Sequence, residues 1–250
     1  MTNPSRVAEA ITAWLHTYAV DAGAQGYIVG LSGGIDSAVT AALCQRAVGD
    51  AVLGVLMPCN SAPEDGEMAH LVASACHLQT VTVDLAATYE ALLATLPPGV
   101  SDMALANIKP RLRMATLFAL GQTHGYLVAG TGNKSEIEIG YFTKYGDGGV
   151  DVEPLGELYK WQVRLLARHL GIPQPVIERP PTAGLWAGQT DEGEMGVTYD
   201  DLDNTLAAIE THETSDVDPT LLNRVQHMIA ASAHKRAMPP ACPLGRDRKA

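Results

Sequence analysis

The chain is expected to fold as one open, doubly wound parallel α/β sheet with flanking helices, a single domain over residues 1–250. Three observations lead there. Four short apolar runs are separated by segments of helical length, and strands alternating with helices pair in parallel through right-handed crossovers. The first run enters a glycine pair, Gly33 and Gly34, the tight exit that a strand-to-helix turn needs. The 250 residues, 46% hydrophobic and 18% charged, supply one large core and exclude a disordered chain.

Residues 5 to 21 carry Val7, Ala10, Ile11, Trp14, Leu15 and Tyr18 at helical spacing, which predicts an amphipathic first helix. Gly26 to Leu31 is the first strand, followed by the glycine turn and an Ala-rich helix over Ser37 to Val48. Ala51 to Met57 is the second strand, and Pro63-Glu64-Asp65 opens a helix with acids in its first turn. Gln79 to Asp84 is the third strand, with a helix near Ala86 to Ala94. Pro97-Pro98-Gly99 breaks it, Ser101 or Asp102 caps a helix running to about Thr123, and Gly125 to Gly130 is the fourth strand. Residues 140 to 156 are Gly-rich and acidic, Glu157 to Leu170 reads as a helix, and Pro173 to Pro181 as an extended connector. No period holds from Ala183 to Met195, which suggests a functional loop. Helices at about Tyr199 to Glu210 and Pro219 to Lys235 precede a Pro-rich, basic tail.

Seventeen Lys+Arg against 28 Asp+Glu leave a net charge of −11, so no general field favours nucleic acid, and phosphate chemistry must use a local site. Runs such as Ala51 to Met57 are too short to cross a bilayer, and the N-terminus lacks a signal pattern; the expectation is a cytoplasmic protein with no membrane partner. Cys44, Cys59, Cys76 and Cys242 show no zinc or disulfide spacing. The eight histidines form no catalytic signature and read as structural.

The sharpest local signal is Leu31-Ser32-Gly33-Gly34-Ile35-Asp36-Ser37 between the first strand and its helix. Such a loop offers backbone N–H groups and a helix N-terminus to an anion. No lysine follows the glycines, so it is not a Walker A loop, nor is it GxGxxG. The glycine pair alone favours an ordinary turn capped by Asp36 or Ser37. Ser-Gly-Gly-x-Asp-Ser, however, resembles the pyrophosphate loop of the N-type ATP pyrophosphatases, which cleave ATP between the α and β phosphates to adenylate a substrate. A second loop, Gly130 to Ser135, follows the fourth strand and lies at the same carboxyl edge, where open α/β sheets bind ligands. Glu136 follows it, and Asp36 with Glu136 could supply two oxygen ligands to Mg²⁺, the competing reading for Glu136 being a solvated first-turn acid.

Further motifs sharpen the resemblance. Thr131 to Glu136, Gly140 to Asp151, Pro154-Leu155, Leu158-Tyr159-Lys160, Pro181 to Trp186, Gly188 to Glu192 and Lys109 to Met114 are together similar to the NAD synthetases, in order over nearly the whole chain. That resemblance implies a Rossmann-like sheet of the adenine nucleotide alpha hydrolase type. It implies that ATP activates the nicotinate carboxylate of deamido-NAD as an acyl adenylate, releasing pyrophosphate, and that ammonia then displaces AMP.

Carried over by motif, Leu31, Ser32, Gly33, Gly34, Ile35, Asp36, Ser37, Met57, Thr131, Lys160 and Thr182 would bind ATP, and Asp36 and Glu136 would bind Mg²⁺. Arg111, Tyr141, Phe142, Lys144, Asp147 and Asp151 would form the deamido-NAD pocket. Asp147, Lys160 and Asp36 would be catalytic, Asp147 guiding ammonia. In some relatives an Arg-Leu-Pro follows the second strand and contacts ATP; here Leu56-Met57-Pro58 stands there, so that arginine contact is absent. Trp186 to Glu194 is a candidate lid, and the resemblance implies a homodimer. Only about 25 residues precede the first strand, too few for a glutaminase, and Cys44 reads as a small core side chain, so free ammonia is the expected donor. The rival readings are another pyrophosphate-loop enzyme, GMP synthetase-like or tRNA-modifying, and a non-catalytic nucleotide-binding module.

Overall fold

Along β1 (Gly26–Gly30) the side chains alternate between two buried faces, and that alternation sorts the molecule. The computed structural model describes residues 3–186 and 188–242. β1 lies between β2 (Val52–Leu56) and β4 (Tyr126–Ala129), with β3 (Gln79–Thr82) outside β2, giving the order β3-β2-β1-β4, all parallel. Tyr27 pairs with Val52, and Ile28 with Val128. One further parallel bridge, Ala129 to Val152, extends the β4 edge.

Tyr27, Val29 and Leu31 enter the larger core, under α1 (Pro4–Asp21), α2 (Ile35–Val48) and α8 (Lys160–His169), with α3 (Pro63–Ala75) and α9 (Gln174–Glu178) beside them. Ile28 faces the opposite core, built with Leu85 and Tyr89 of α4 (Ala86–Leu93) and its approach and Leu117 of α6 (Ile108–His124). A third cluster joins α7 (Lys134–Ile139) to α11 (Tyr199–Thr211) and α12 (Pro219–Ser232) around Ile139, Leu202 and Val225. Helices on both faces of a parallel sheet make this the doubly wound α/β fold that the sequence predicts. Cys44 is fully buried on α2, in keeping with a core role.

The elements differ from the sequence reading in four places. The helix expected from 101 to 123 is two, α5 (Asp102–Ala106) and α6, broken at Asn107. Pro110 has no N–H for the Ala106 carbonyl and is tolerated only in a first turn, so α6 must start anew. The helix expected from Glu157 begins at Lys160 because the preceding backbone is used elsewhere: the Leu158 carbonyl accepts from Lys134 N at 2.8 Å, and Tyr159 N donates to Gln162 Oε1 at 2.8 Å. The extended connector contains the single-turn α9. The aperiodic loop contains another, α10 (Asp191–Met195), whose Thr190 cap accepts from Gly193 N at 3.2 Å.

Candidate active site

The carboxyl ends of β1, β2 and β4 open into one cleft of about 980 Å³. Its floor is the β1–α2 loop. Gly33 has φ +78°, and a Cβ there would lie 2.6 Å from the Asp65 carbonyl, so only glycine fits against α3. The loop is braced by a closed ring of hydrogen bonds. Ser32 Oγ donates to Ser37 Oγ at 3.1 Å, Ser37 Oγ donates to the Gly34 carbonyl at 2.9 Å, and Gly34 N donates back to Ser32 Oγ at 3.2 Å. The N-cap of α2 is Gly34, which has no side chain to occupy the first-turn N–H groups, leaving them for an anion.

The β4–α7 loop sets the opposing wall. Asn133, fully buried, caps α7 by accepting from Glu136 N at 3.1 Å and donates Nδ2 to Asp36 Oδ1 at 3.0 Å. One amide thus ties the two loops. Lys160 Nζ lies 2.6 Å from Asp36 Oδ2 and 3.1 Å from Glu136 Oε1, with only 1% of its side chain exposed. Its backbone is pinned as well: Lys160 N donates to Ser135 Oγ at 2.9 Å, Ser135 Oγ donates to Asp203, and Trp161 N donates to Asp203 Oδ2 at 3.1 Å. Burial alone would lower the Lys160 ammonium's pKa, but the Asp36 and Glu136 carboxylates outweigh it and hold it above the usual lysine range. Burial pushes the Glu136 carboxyl up to about 7, opposed by Lys160 and the Tyr199 hydroxyl and reinforced by Asp36.

Two hard oxygen donors converging on a single cation suit Mg²⁺, which takes one or two carboxylates and completes its shell with phosphate and water. Among the described residues no three His, Cys, Asp or Glu groups gather into a protein-only metal cage, so zinc or calcium fits less well.

All the sequence-predicted site residues line this cleft except Gly33, which packs behind the loop, and Asp151. The Asp151 carboxylate accepts from Val128 N at 2.8 Å, bracing the sheet edge. Thr182 and Thr131 are on the wall, and Met57 lies at the end of β2. Asp147 opens to the cleft and accepts from Thr143 N at 2.9 Å; the surrounding protein raises its carboxyl pKa, against that hydrogen bond. Lys144 Nζ donates to the His234 carbonyl at 2.6 Å, and Arg111 reaches the Lys144 carbonyl at 3.4 Å.

Sequence reasoning missed several contributors. His234, read as structural, lines the cleft with Lys235, whose Nζ donates to the Gly140 and Phe142 carbonyls at 2.8 and 2.9 Å. Nothing in the local sequence marks them, because a turn after α12 brings them back across the chain. Arg113 reaches the Met57 carbonyl at 3.2 Å and Ser61 Oγ at 3.3 Å, placing a guanidinium where the sequence lacks an arginine after β2. The Glu153 carboxylate accepts from Gly132 N at 3.1 Å, and burial pushes it up to about 8. Asn133 was legible, since Asn followed three residues later by Glu is a helix-start pattern.

A parallel sheet whose glycine-led loops and paired carboxylates meet at its carboxyl edge defines a nucleotide-phosphate site of the α/β class. The family model described as NAD synthase matches residues 7–239, and the chain belongs to that family. It is 48% identical over 235 residues to the NH(3)-dependent NAD(+) synthetase of Carboxydothermus hydrogenoformans, covering 92% of this chain and 94% of that one. Among solved structures it is similar to the NMN synthetase of Francisella tularensis, with TM-score 0.91 and 33% identity over 98% of this chain and 100% of that one. It also matches the NH3-dependent NAD synthetase of Campylobacter jejuni, with TM-score 0.85 and 28% identity over 97% and 100%.

Proposed function

We propose that this chain, as one catalytic unit, amidates deamido-NAD with ammonia to form NAD, cleaving ATP to AMP and pyrophosphate. The observation that carries the reading is the convergence of Asp36 and Glu136 on the buried Lys160 beside the Ser32–Ser37 loop. The ammonia-dependent relatives support it. The tRNA-modifying, GMP synthetase-like and non-catalytic readings find no support in these relatives.

A carboxylate resists attack by an amine until its oxygen becomes a phosphate leaving group, so the first step joins the nicotinate oxygen to the α-phosphorus and breaks the bond to the bridging oxygen of pyrophosphate. The Ser32–Ser37 loop and Thr182 would hold the phosphates in line, and Lys160 would offset charge on the departing pyrophosphate. Mg²⁺ held by Asp36 and Glu136 would add positive charge at those phosphates. Tyr141 and Phe142 would pack against the nicotinate ring, with Arg111, Lys144, His234 and Lys235 around its nucleotide. In the second step ammonia bonds to the acyl carbon and AMP leaves. Ammonium must first lose a proton, and Asp147, open to the cleft, would bind the cation and take or relay it. Activity then rises with pH as free amine grows. Asp147→Asn raises KM for ammonium at least about tenfold while KM for ATP stays within about threefold; equal rises in both would refute the role.

The likeness to an NMN synthetase favours a second reading, in which the same chemistry acts on nicotinic acid mononucleotide. Purified protein with ATP, Mg²⁺ and ammonium is given each acid in turn, and products are read by mass. NAD, AMP and pyrophosphate are expected, with kcat/KM higher for deamido-NAD; a preference for the mononucleotide supports the second reading, and ADP with orthophosphate overturns both. Glutamine without ammonium should yield essentially no product.

The proposal includes a homodimer and a cytoplasmic setting. Trp14 and Tyr18 on α1, Met103 on α5 and Phe118 on α6 are large apolar side chains left exposed, surface suited to a second copy. No helix among the described residues is long and apolar enough to cross a membrane. Light scattering at micromolar concentration should give twice the monomer mass; a fully active monomer would overturn the dimer.

A further inference from the structure

Two buried side chains to which the reaction steps assign no role, Asp191 on the cleft wall and Tyr199 behind it, join the phosphate end to the acid-substrate pocket. Asp191, the first residue of α10, is 5% exposed, and Tyr199, the first residue of α11, is fully buried. The Tyr199 hydroxyl lies 2.8 Å from Glu136 Oε1 and 3.0 Å from Asp191 Oδ2. The other oxygen of Asp191 accepts from the Tyr141 hydroxyl at 3.1 Å, and that hydroxyl also lies 2.9 Å from Glu194 Oε2. Asp191 N donates to the Pro181 carbonyl at 3.1 Å, closing the base of the segment that carries Thr182. Gln189 completes the segment's attachment, receiving Leu185 N at 2.8 Å and donating to Glu194 Oε2 at 2.7 Å.

Each tyrosine hydroxyl owns one proton and faces two carboxylate oxygens, so it can serve only one of them fully at a time. The choice is discrete. If Glu136 is engaged elsewhere, the Tyr199 proton turns to Asp191, and Asp191 in turn holds the Tyr141 hydroxyl differently. We propose that Tyr199 and Asp191 are positioning residues that couple Glu136 to the acid-substrate pocket, so that filling the nucleotide end organises Tyr141 and filling the pocket organises Glu136. This inference rests on the assignment of Mg²⁺, ATP and deamido-NAD made above. Coupling of this kind is reciprocal by thermodynamic necessity, each ligand tightening the other by the same factor. A relay that only packs the core would shift both affinities and leave their interdependence intact.

The test is calorimetric binding of deamido-NAD without ammonium, first alone and then with saturating Mg²⁺ and α,β-methylene-ATP, whose α–β link cannot be cleaved. In the wild-type protein the nucleotide should tighten deamido-NAD binding at least about fivefold, within the usual range for coupled sites. Tyr199→Phe keeps the ring, which packs 4.6 Å beneath Lys160 Nζ, and removes the hydroxyl; the ratio should fall below about two, whatever happens to either single affinity. Asp191→Asn, which places an amide donor in the relay, should do the same, and it carries the test if the phenylalanine variant does not fold. A ratio retained in a folded variant, or no coupling in the wild type, overturns the relay. If the wild type binds deamido-NAD under neither condition, the functional assignment fails, and the relay fails with it.

Discussion

Lys160→Met should lower turnover by about 10²- to 10³-fold, equivalent to ~3–4 kcal/mol of transition-state stabilisation. The ammonium lies within 3.1 Å of both Asp36 and Glu136, and it is the only cation among the described residues within ion-pair distance of either. Removing it leaves two carboxylates facing one another across a site that must also receive triphosphate. The fold pays as well, since breaking a buried pair from one side costs roughly 3–5 kcal/mol. The lower end applies here, because Asp36 and Glu136 keep 18% and 15% side-chain exposure and can recruit water or a cation. The raised lysine pKa gives the sign of the pH dependence: this contribution is in place at neutral pH and is lost only as pH rises through the elevated lysine range. Lys160→Arg should not rescue, because a planar guanidinium is larger than the ammonium and its pocket is almost closed. Thermal melts and mass detection of NAD check both parts, and a methionine variant within threefold of wild-type turnover would remove Lys160 from the chemistry.

What the sequence made legible, and what it hid, follows from the range of each interaction. The four strands, the first helices and the phosphate loop rest on patterns within a few residues, and they stand within one or two residues of their expected limits. Pro110 could have announced the break at Asn107, since the rule against proline in a helix interior is local. The late start of α8 could not be seen, because Lys134 N, from the loop after β4, takes the Leu158 carbonyl, and Ser135 and Asp203, 25 and 42 residues from the N–H groups they accept, fix its first two residues. Site residues that belong to motifs lie along the cleft, Gly33 and Asp151 apart. Those recruited by distant packing were hidden: His234 and Lys235 reach the cleft only because α12 docks beside α7, and Tyr199 reaches Glu136 from behind because α11 packs against the same helix. Asp151 shows the converse limit. It falls within a motif that resembles a substrate pocket, yet in the fold its carboxylate holds the Val128 N–H.

Asp36→Asn and Glu136→Gln should each reduce turnover by orders of magnitude while the fold survives, consistent with at least ~3 kcal/mol of lost charge stabilisation. Both substitutions keep shape and hydrogen-bonding reach. The amide oxygen at position 36 can still accept from Asn133, and the amide oxygen at position 136 can still accept from Tyr199, so the loops remain tied. What disappears is negative charge at the two atoms nearest Lys160, and with it the means of holding a divalent cation against phosphate. The two variants should differ in the unliganded protein. Glutamine at position 136 removes the charge from the longer of the two contacts to Lys160 and keeps an acceptor for the Tyr199 hydroxyl, so it should change the melting temperature less. Asparagine at position 36, which removes the shorter of the two contacts to Lys160, should lower it measurably. Magnesium titration of NAD formation separates a metal role from a purely structural one: each variant should need a higher Mg²⁺ concentration for half-maximal rate, and the residual rate should respond to added metal. Near-normal activity with an unchanged Mg²⁺ dependence in either variant would strip that residue of its assigned role, even if its melting temperature fell.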